Sequence, residues 1–154
     1  MNTDKIKKVL IALDYDPSSK KVAEDGYELA KTMGAEVILM HVTMNSYLYT
    51  TVYPHMGNWQ SDSLNSLDFK NTGSRNFLLK AKRHLGDGSI SIIQKNGGTA
   101  QMILNTANEM KADCIVMGSH SQKCAADILM GSVTEEVLRK TIIPLFVVPI
   151  KKKD

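Results

Sequence analysis

Val9-Leu10-Ile11-Ala12-Leu13 is an unbroken apolar run, and Asp14-Tyr15-Asp16-Pro17 follows it directly. A short run that is apolar at both parities suits a strand covered on both faces, the situation found in a parallel sheet. Asp16-Pro17 then reads as a helix N-cap with proline in the first turn. The helix begun there carries Ala23, Tyr27 and Ala30 on one stripe and closes at Met33-Gly34. A buried strand that feeds straight into an amphipathic helix is the first half of a βαβ unit.

Outward from this stretch the same alternation continues. Val37–Met40, Ile90–Ile93, Cys114–Met117 and Leu145–Val148 are further candidate strands, all nearly continuous in apolar residues except the more mixed Ile90–Ile93. A helix is predicted from a Thr99 cap, with Ala100, Ile103, Leu104 and Ala107 on one face. Asn71–Leu85, ended by Gly86-Asp87-Gly88, and Val133–Lys140, ended near Pro144, are the other two. The order βαβ, loop, αβαβαβ predicts an α/β fold with an open five-stranded parallel sheet, right-handed crossovers and helices on both faces. Thr43–Leu67 fits no element. Its Tyr47, Tyr49, Tyr53 and Trp59 are read as cover for the core edge or a subunit interface, ahead of contact with a ligand.

With 154 residues, 43% of them hydrophobic, the chain is sized for one globular domain, here taken as residues 1–150 with a basic tail at 151–154. Cys114 and Cys124 are too few for a secreted disulfide framework, and Val9–Leu13 is too short for the core of a signal peptide. No apolar run approaches the ~18 residues of a membrane span. The expectation is a cytoplasmic protein without a membrane partner. Nineteen basic residues face sixteen acidic ones, and without Lys151-Lys152-Lys153 the charges balance. A neutral body is a poor phosphate-backbone surface, so no nucleic-acid partner is expected.

In an open parallel sheet, ligands collect beyond the carboxyl ends of the strands. The residues leaving those ends are Asp14, His41-Val42, Asn96-Gly97-Gly98 and Gly118-Ser119-His120-Ser121, and Gly131-Ser132-Val133-Thr134 opens a helix further on. Glycines and hydroxyls at a helix start expose backbone N–H groups to an anion. Rival chemistries read worse. The chain has no Gly-x-x-x-x-Gly-Lys-Ser/Thr phosphate loop, and Asp14-Tyr15-Asp16-Pro17 stands where a dinucleotide fold would carry Gly-x-Gly-x-x-Gly. The histidines, His41, His55, His84 and His120, lack zinc-ligand spacing, so no metal site is expected; His120 alone is kept open, because it could touch an anion. Cys114 and the methionines Met102, Met110, Met117 and Met130 are read as core, and Cys124 as a bystander thiol.

At these residues the sequence resembles the universal stress protein family. Val9–Asp14 is similar to the family's first strand and its aspartate, and His41-Val42 to the end of its second strand. Gly118, Gly131 and Ser132 keep the register of a nucleotide-binding signature in which glycine, two residues, glycine and nine residues precede a glycine and a hydroxyl; Ser121 stands where the binders have glycine. The resemblance implies the strand order 3-2-1-4-5. It implies that Asp14 holds a ribose hydroxyl, that the Val42 backbone meets the adenine edge and that Gly118 flanks the ribose. Ser121, Gly131, Ser132, Val133 and Thr134 would surround the phosphates, and Ala12 and Met117 complete the implied set. The implied ligand is ATP or AMP, with Mg²⁺ accompanying the phosphates. At Ser121 a Cβ obstructs if the backbone needs a positive φ, while the hydroxyl could donate to phosphate.

The function expected is a regulatory, stress-response module that binds an adenine nucleotide. The alternatives are a dimeric interaction protein with no nucleotide and a slow ATP hydrolase; no positioned base, arginine finger or catalytic lysine is visible beside the glycines. A homodimer through Leu145–Val148 is expected. The run is apolar and lies at a sheet edge in the implied order, and Pro144 and Pro149 limit its length.

Overall fold

The alternation along the first strand places Val9 and Ile11 on one side and Leu10 and Ala12 on the other, and each side packs into its own apolar cluster. The computed structural model describes residues 6–43, 63–119 and 130–151, with side chains omitted for 63–71. Its strands are β1 (Lys8–Ala12), β2 (Glu36–Thr43), β3 (Ser91–Asn96), β4 (Cys114–Gly118) and β5 (Leu145–Val148). The helices are α1 (Ser19–Thr32), α2 (Ser63–Leu85), α3 (Thr99–Glu109) and α4 (Ser132–Lys140). All strand pairs are parallel and the order is β3-β2-β1-β4-β5, as the resemblance implied. The central β1 is in register with β2 from Lys8↔Glu36 to Ala12↔Met40 and with β4 from Val9↔Cys114 to Ile11↔Val116.

Val22, Ala23 and Ala30 of α1 and Leu78 of α2 cover one face of the sheet with Val9, Ile11, Leu39 and Val116. On the other face, Ala100, Ile103 and Ala107 of α3 and Val137 of α4 meet Leu10, Ile38, Met40 and Ile115. Gly26 lets α1 sit close on the sheet, since a Cβ there would lie 2.9 Å from Ile11 Cδ1 and 3.0 Å from Val116 Cγ1. Gly34, at φ +65°, turns the chain out of α1. Asp87 then ties α1 to the turn after α2. Its carboxylate accepts from the Ser89 hydroxyl (2.6 Å), the Ser89 amide (2.9 Å) and the Tyr27 hydroxyl (2.8 Å). These bonds, the Ser89 hydroxyl foremost, hold the Asp87 carboxyl down to about 2.

Several expected boundaries move. The helix after β1 starts at Ser19, with Ser18 in the N-cap position. Asp16 instead closes the preceding turn, accepting from the Ser18 amide (2.9 Å) and hydroxyl (2.7 Å), so Pro17 lies in that turn and not in the helix. Thr99 is the first residue of α3, and Gly98 occupies its cap. Strand β3 runs on through Gln94, Lys95 and Asn96, because an edge strand tolerates polar residues that a central one would not. Helix α2 begins at Ser63, not Asn71. Leu64 and Leu67 stand one turn apart, but Asn71-Thr72-Gly73-Ser74 are weak helix formers that mask the continuity in the sequence. Thr43–Leu67 is therefore not wholly irregular: Thr43 belongs to β2 and residues 63–67 to α2, while 44–62 lie outside the described residues.

Candidate functional site

The chain runs outward from β1 to β2 and β3, then crosses back to place β4 on the other side of β1. Where the two directions part, an open parallel sheet leaves a crevice at the carboxyl ends of its strands. A cavity of about 200 Å³ opens there. Its floor is formed by strand-end residues, among them Ala12, Met40, Val42, Met117 and Gly118.

The ladder between β1 and β2 sets one wall. The Glu36 amide donates to the Lys7 carbonyl (2.8 Å) and the Leu13 amide to the Met40 carbonyl (2.8 Å), so even-numbered residues of β2 turn their backbone groups toward β1. Thr43, of the other parity, faces β3 and accepts from the Gly97 amide at 2.9 Å. By this alternation the Val42 N–H and C=O both face the β1 side, at a level where β1 has already ended at Ala12. Val42 thus offers a donor and an acceptor side by side. Asp14 stands at the exit of β1, exposed, with Oδ1 accepting from the Tyr15 amide at 3.1 Å.

The other wall consists of helix starts. Ser18 and Ser19 of α1, Thr99 of α3 and Ser132, Val133 and Thr134 of α4 all line the cavity. At none of these three helices does the N-cap side chain accept from the first amides, although at α1 the Ser18 amide and hydroxyl and the Ser19 amide already donate to Asp16. The first amides of a helix have no intrahelical acceptor and sit at the positive end of its dipole, so they attract an anion. At α4 the first helical bond comes from the Glu135 amide to the Gly131 carbonyl (2.9 Å), which leaves the amides of Ser132, Val133 and Thr134 ahead of the ladder. The Thr134 hydroxyl is already committed, donating to the Gly118 carbonyl at 2.8 Å. The Gly131 amide donates to the Ser119 carbonyl at 2.7 Å, so the described chain leaves after Ser119 and returns at Met130 beside one point. A second hollow, of about 880 Å³, lies between α1 and α2 beside Tyr15, Phe77 and Lys80. It is larger, but it lies on a flank between helices, and its described lining includes neither Asp14 nor Val42 nor the start of α4.

Ala12, Asp14, Val42, Met117, Gly118, Gly131, Ser132, Val133 and Thr134 come together around the first cavity. Ser121, along with His120 and Cys124, falls outside the described residues. Cys114 is buried in β4, where burial pushes its thiol up. His84 pairs with Glu24 at 2.7 Å between α2 and α1. Among the described residues no group of three or more His, Cys, Asp or Glu could hold a metal ion. The sequence reading missed Ser18, Ser19, Thr99 and His41 as lining residues. The first three open helices just beyond β1 and β3, and the rule applied to the helix after β4 would have found them. His41 was seen as a strand end, but its ring gave no sequence signal of a role.

An α/β sheet with a cavity at its topological switch and uncapped helix starts around it defines a class of phosphate- and nucleotide-sized sites. Residues 5–149 match the sequence profile of the Universal stress protein family, and the chain belongs to that family. It is 31% identical over 150 residues to universal stress protein MJ0531 of Methanocaldococcus jannaschii, covering 96% of this chain and 85% of that protein. Among solved structures it is similar to the protein MJ0577, with a TM-score of 0.72 and 26% identity over 96% of this chain and 99% of that one. A universal stress protein from Archaeoglobus fulgidus, solved in complex with dAMP, shares the fold at a TM-score of 0.58 and 17% identity, covering 92% of this chain and 96% of that one. No helix among the described residues is long and apolar enough to cross a membrane.

Proposed function

We propose that this chain is a regulatory module that binds an adenine nucleotide, ATP or AMP, in the cavity at the carboxyl ends of β1, β2 and β4. The observation that carries the reading is the convergence on one cavity of three chemistries: the paired N–H and C=O of Val42, the Asp14 carboxylate, and the uncapped start of α4. They suit, in turn, the donor–acceptor edge of adenine, the hydroxyls of a ribose and the charge of a phosphate. Gly118, Ser121, Gly131 and Ser132 take part at the ribose and phosphate end, and Ala12 and Met117 supply apolar contact. Family membership supports the reading, as does the dAMP bound to the Archaeoglobus fulgidus relative. Among the described residues Asp14 is the one carboxylate lining the cavity, so Mg²⁺ would travel on the phosphates with few protein ligands of its own.

Among the described residues that line the cavity there is no acid–base pair and no lysine to drive phosphoryl transfer, and the reading adopted is a module that holds the nucleotide. The second element of the proposal is a homodimer through β5. Among the described residues that strand has a neighbour on one side only, and Phe146 on it, Ile142 before it and Leu138 on α4 are exposed large hydrophobic residues.

Isothermal titration with ATP and AMP tests the site. Asp14→Ala removes a charged acceptor worth about 1.5–3 kcal/mol, so affinity should fall by about 10–150-fold. Unchanged affinity in that variant would move the ligand elsewhere, and no binding by the unmodified chain would refute the function.

A further inference from the structure

Leu13 is the residue at which β1 departs from the sheet, and its two backbone groups go to different kinds of partner. Its amide continues the ladder, donating to the Met40 carbonyl at 2.8 Å. The carbonyl would next accept from the Val42 amide if the parallel pattern went on by one rung. It accepts instead from the ring of His41, Nδ1 to O at 2.8 Å. A carbonyl cannot donate, so Nδ1 carries the proton in this contact. Leu13 and His41 are both buried, at 4% and 8% exposure, so the oxygen needs a protein partner. The ring is held edge-on to Phe77 with centroids 5.4 Å apart, while Tyr15 packs 5.2 Å from Phe77, so the aromatic contacts fix its direction.

We propose that His41 is a positioning residue: it satisfies the Leu13 carbonyl and thereby keeps the Val42 amide open to the ligand's base. Without the ring, a buried acceptor is left unpaired, and the nearest donor in the pattern is the Val42 N–H. The ladder then closes by one rung, and Val42 keeps its carbonyl but loses its donor. This inference rests on the adenine reading, and it makes base specificity depend on a side chain that belongs to the strand itself. Adenine N1 accepts and its exocyclic amine donates, which matches the Val42 pair; hypoxanthine reverses both.

The test compares AMP with IMP on the unmodified chain, His41→Leu and His41→Asn, by calorimetry, together with amide hydrogen exchange at Val42. The unmodified chain should prefer AMP. His41→Leu should weaken AMP by about 3–10-fold with little change for IMP, and slow Val42 exchange. His41→Asn, whose side-chain amide can donate from near the Nδ1 position, should restore both. Equal loss of AMP and IMP, or AMP affinity that does not change in His41→Leu, would overturn the proposal. If the unmodified chain binds neither nucleotide, the adenine reading falls, and Val42 exchange unaltered by His41→Leu overturns the ladder argument separately.

Discussion

Replacing Gly26 by alanine sets two opposed effects of similar size against each other, and the structure decides which prevails. In a helix interior alanine is favoured over glycine by about 1 kcal/mol. The new Cβ, however, would lie 2.9 Å from Ile11 Cδ1, 3.0 Å from Val116 Cγ1 and 3.2 Å from Ile11 Cγ1. Both neighbours are fully buried, so neither can swing into solvent, and overpacking of this kind costs about 1–3 kcal/mol. Gly26→Ala should therefore destabilise by about 0–2 kcal/mol. Gly73 in α2 supplies the control. A Cβ there meets nothing within 4 Å, so Gly73→Ala should stabilise by close to the full helix term, about 1 kcal/mol. The gap between the two variants, about 1–3 kcal/mol, isolates the packing of α1 on β1 and β4. Urea denaturation read at a common slope measures it. Equal stabilisation of both variants would refute the argument, since it would mean that α1 is not seated on the sheet at Gly26. The same displacement reaches the site, because Ser18, Ser19 and Val22 at the start of α1 line the cavity.

Two further outcomes follow from the contacts described. Asp87 titrates at about 2 in the folded chain against an ordinary 3.8, so its contribution is complete above the ordinary value and lost as pH falls through about 2. Asp87→Asn should narrow the fall in Tm between pH 6 and pH 2, and an identical fall in both proteins would remove Asp87 from the account of acid sensitivity. Phe146→Glu places a charge on the exposed edge strand and should yield monomers by sedimentation without unfolding. A monomeric unmodified chain at micromolar concentration would reject the dimer.

The sheet was readable because its inner strands are buried on both faces, and burial on both faces writes itself as an apolar run. Val9–Leu13 and Cys114–Met117 each lie within a residue of the strands observed, and the edge run Leu145–Val148 coincides with β5 although Val148 alone in it is buried. Where burial is partial the sequence says less. The extension of β3 through Gln94, Lys95 and Asn96 is fixed by pairing with His41, Val42 and Thr43, a tertiary fact that no local pattern records. The start of α2 was hidden for the converse reason, since weak helix formers at 71–74 interrupt a helix that neighbouring turns sustain. Strand order came from resemblance, because apolar runs do not say which neighbour each strand has.

The candidate site divides along the same line. Asp14, Gly118 and Gly131 could be picked out because their residue types at strand ends and helix starts already carry chemistry. Val42 was reached only through its place at a strand end and the family resemblance, since the valine side chain carries no such chemistry; its value lies in backbone groups left over when β1 stops pairing at Ala12↔Met40 while β2 runs on to Thr43. That surplus follows from the topology. At a switch point the strands on either side lead their chains away in opposite directions, so the last residue of one strand loses its partner while staying near the core. Val42 is half-buried, and a backbone donor and acceptor left at the cavity wall stay open to a ligand only if competing groups are held elsewhere. Here the competitor is the Leu13 carbonyl, and the next residue back along β2, His41, holds it. An apolar residue at position 41 would serve the core as well, but it would leave that carbonyl free to close the ladder over the site.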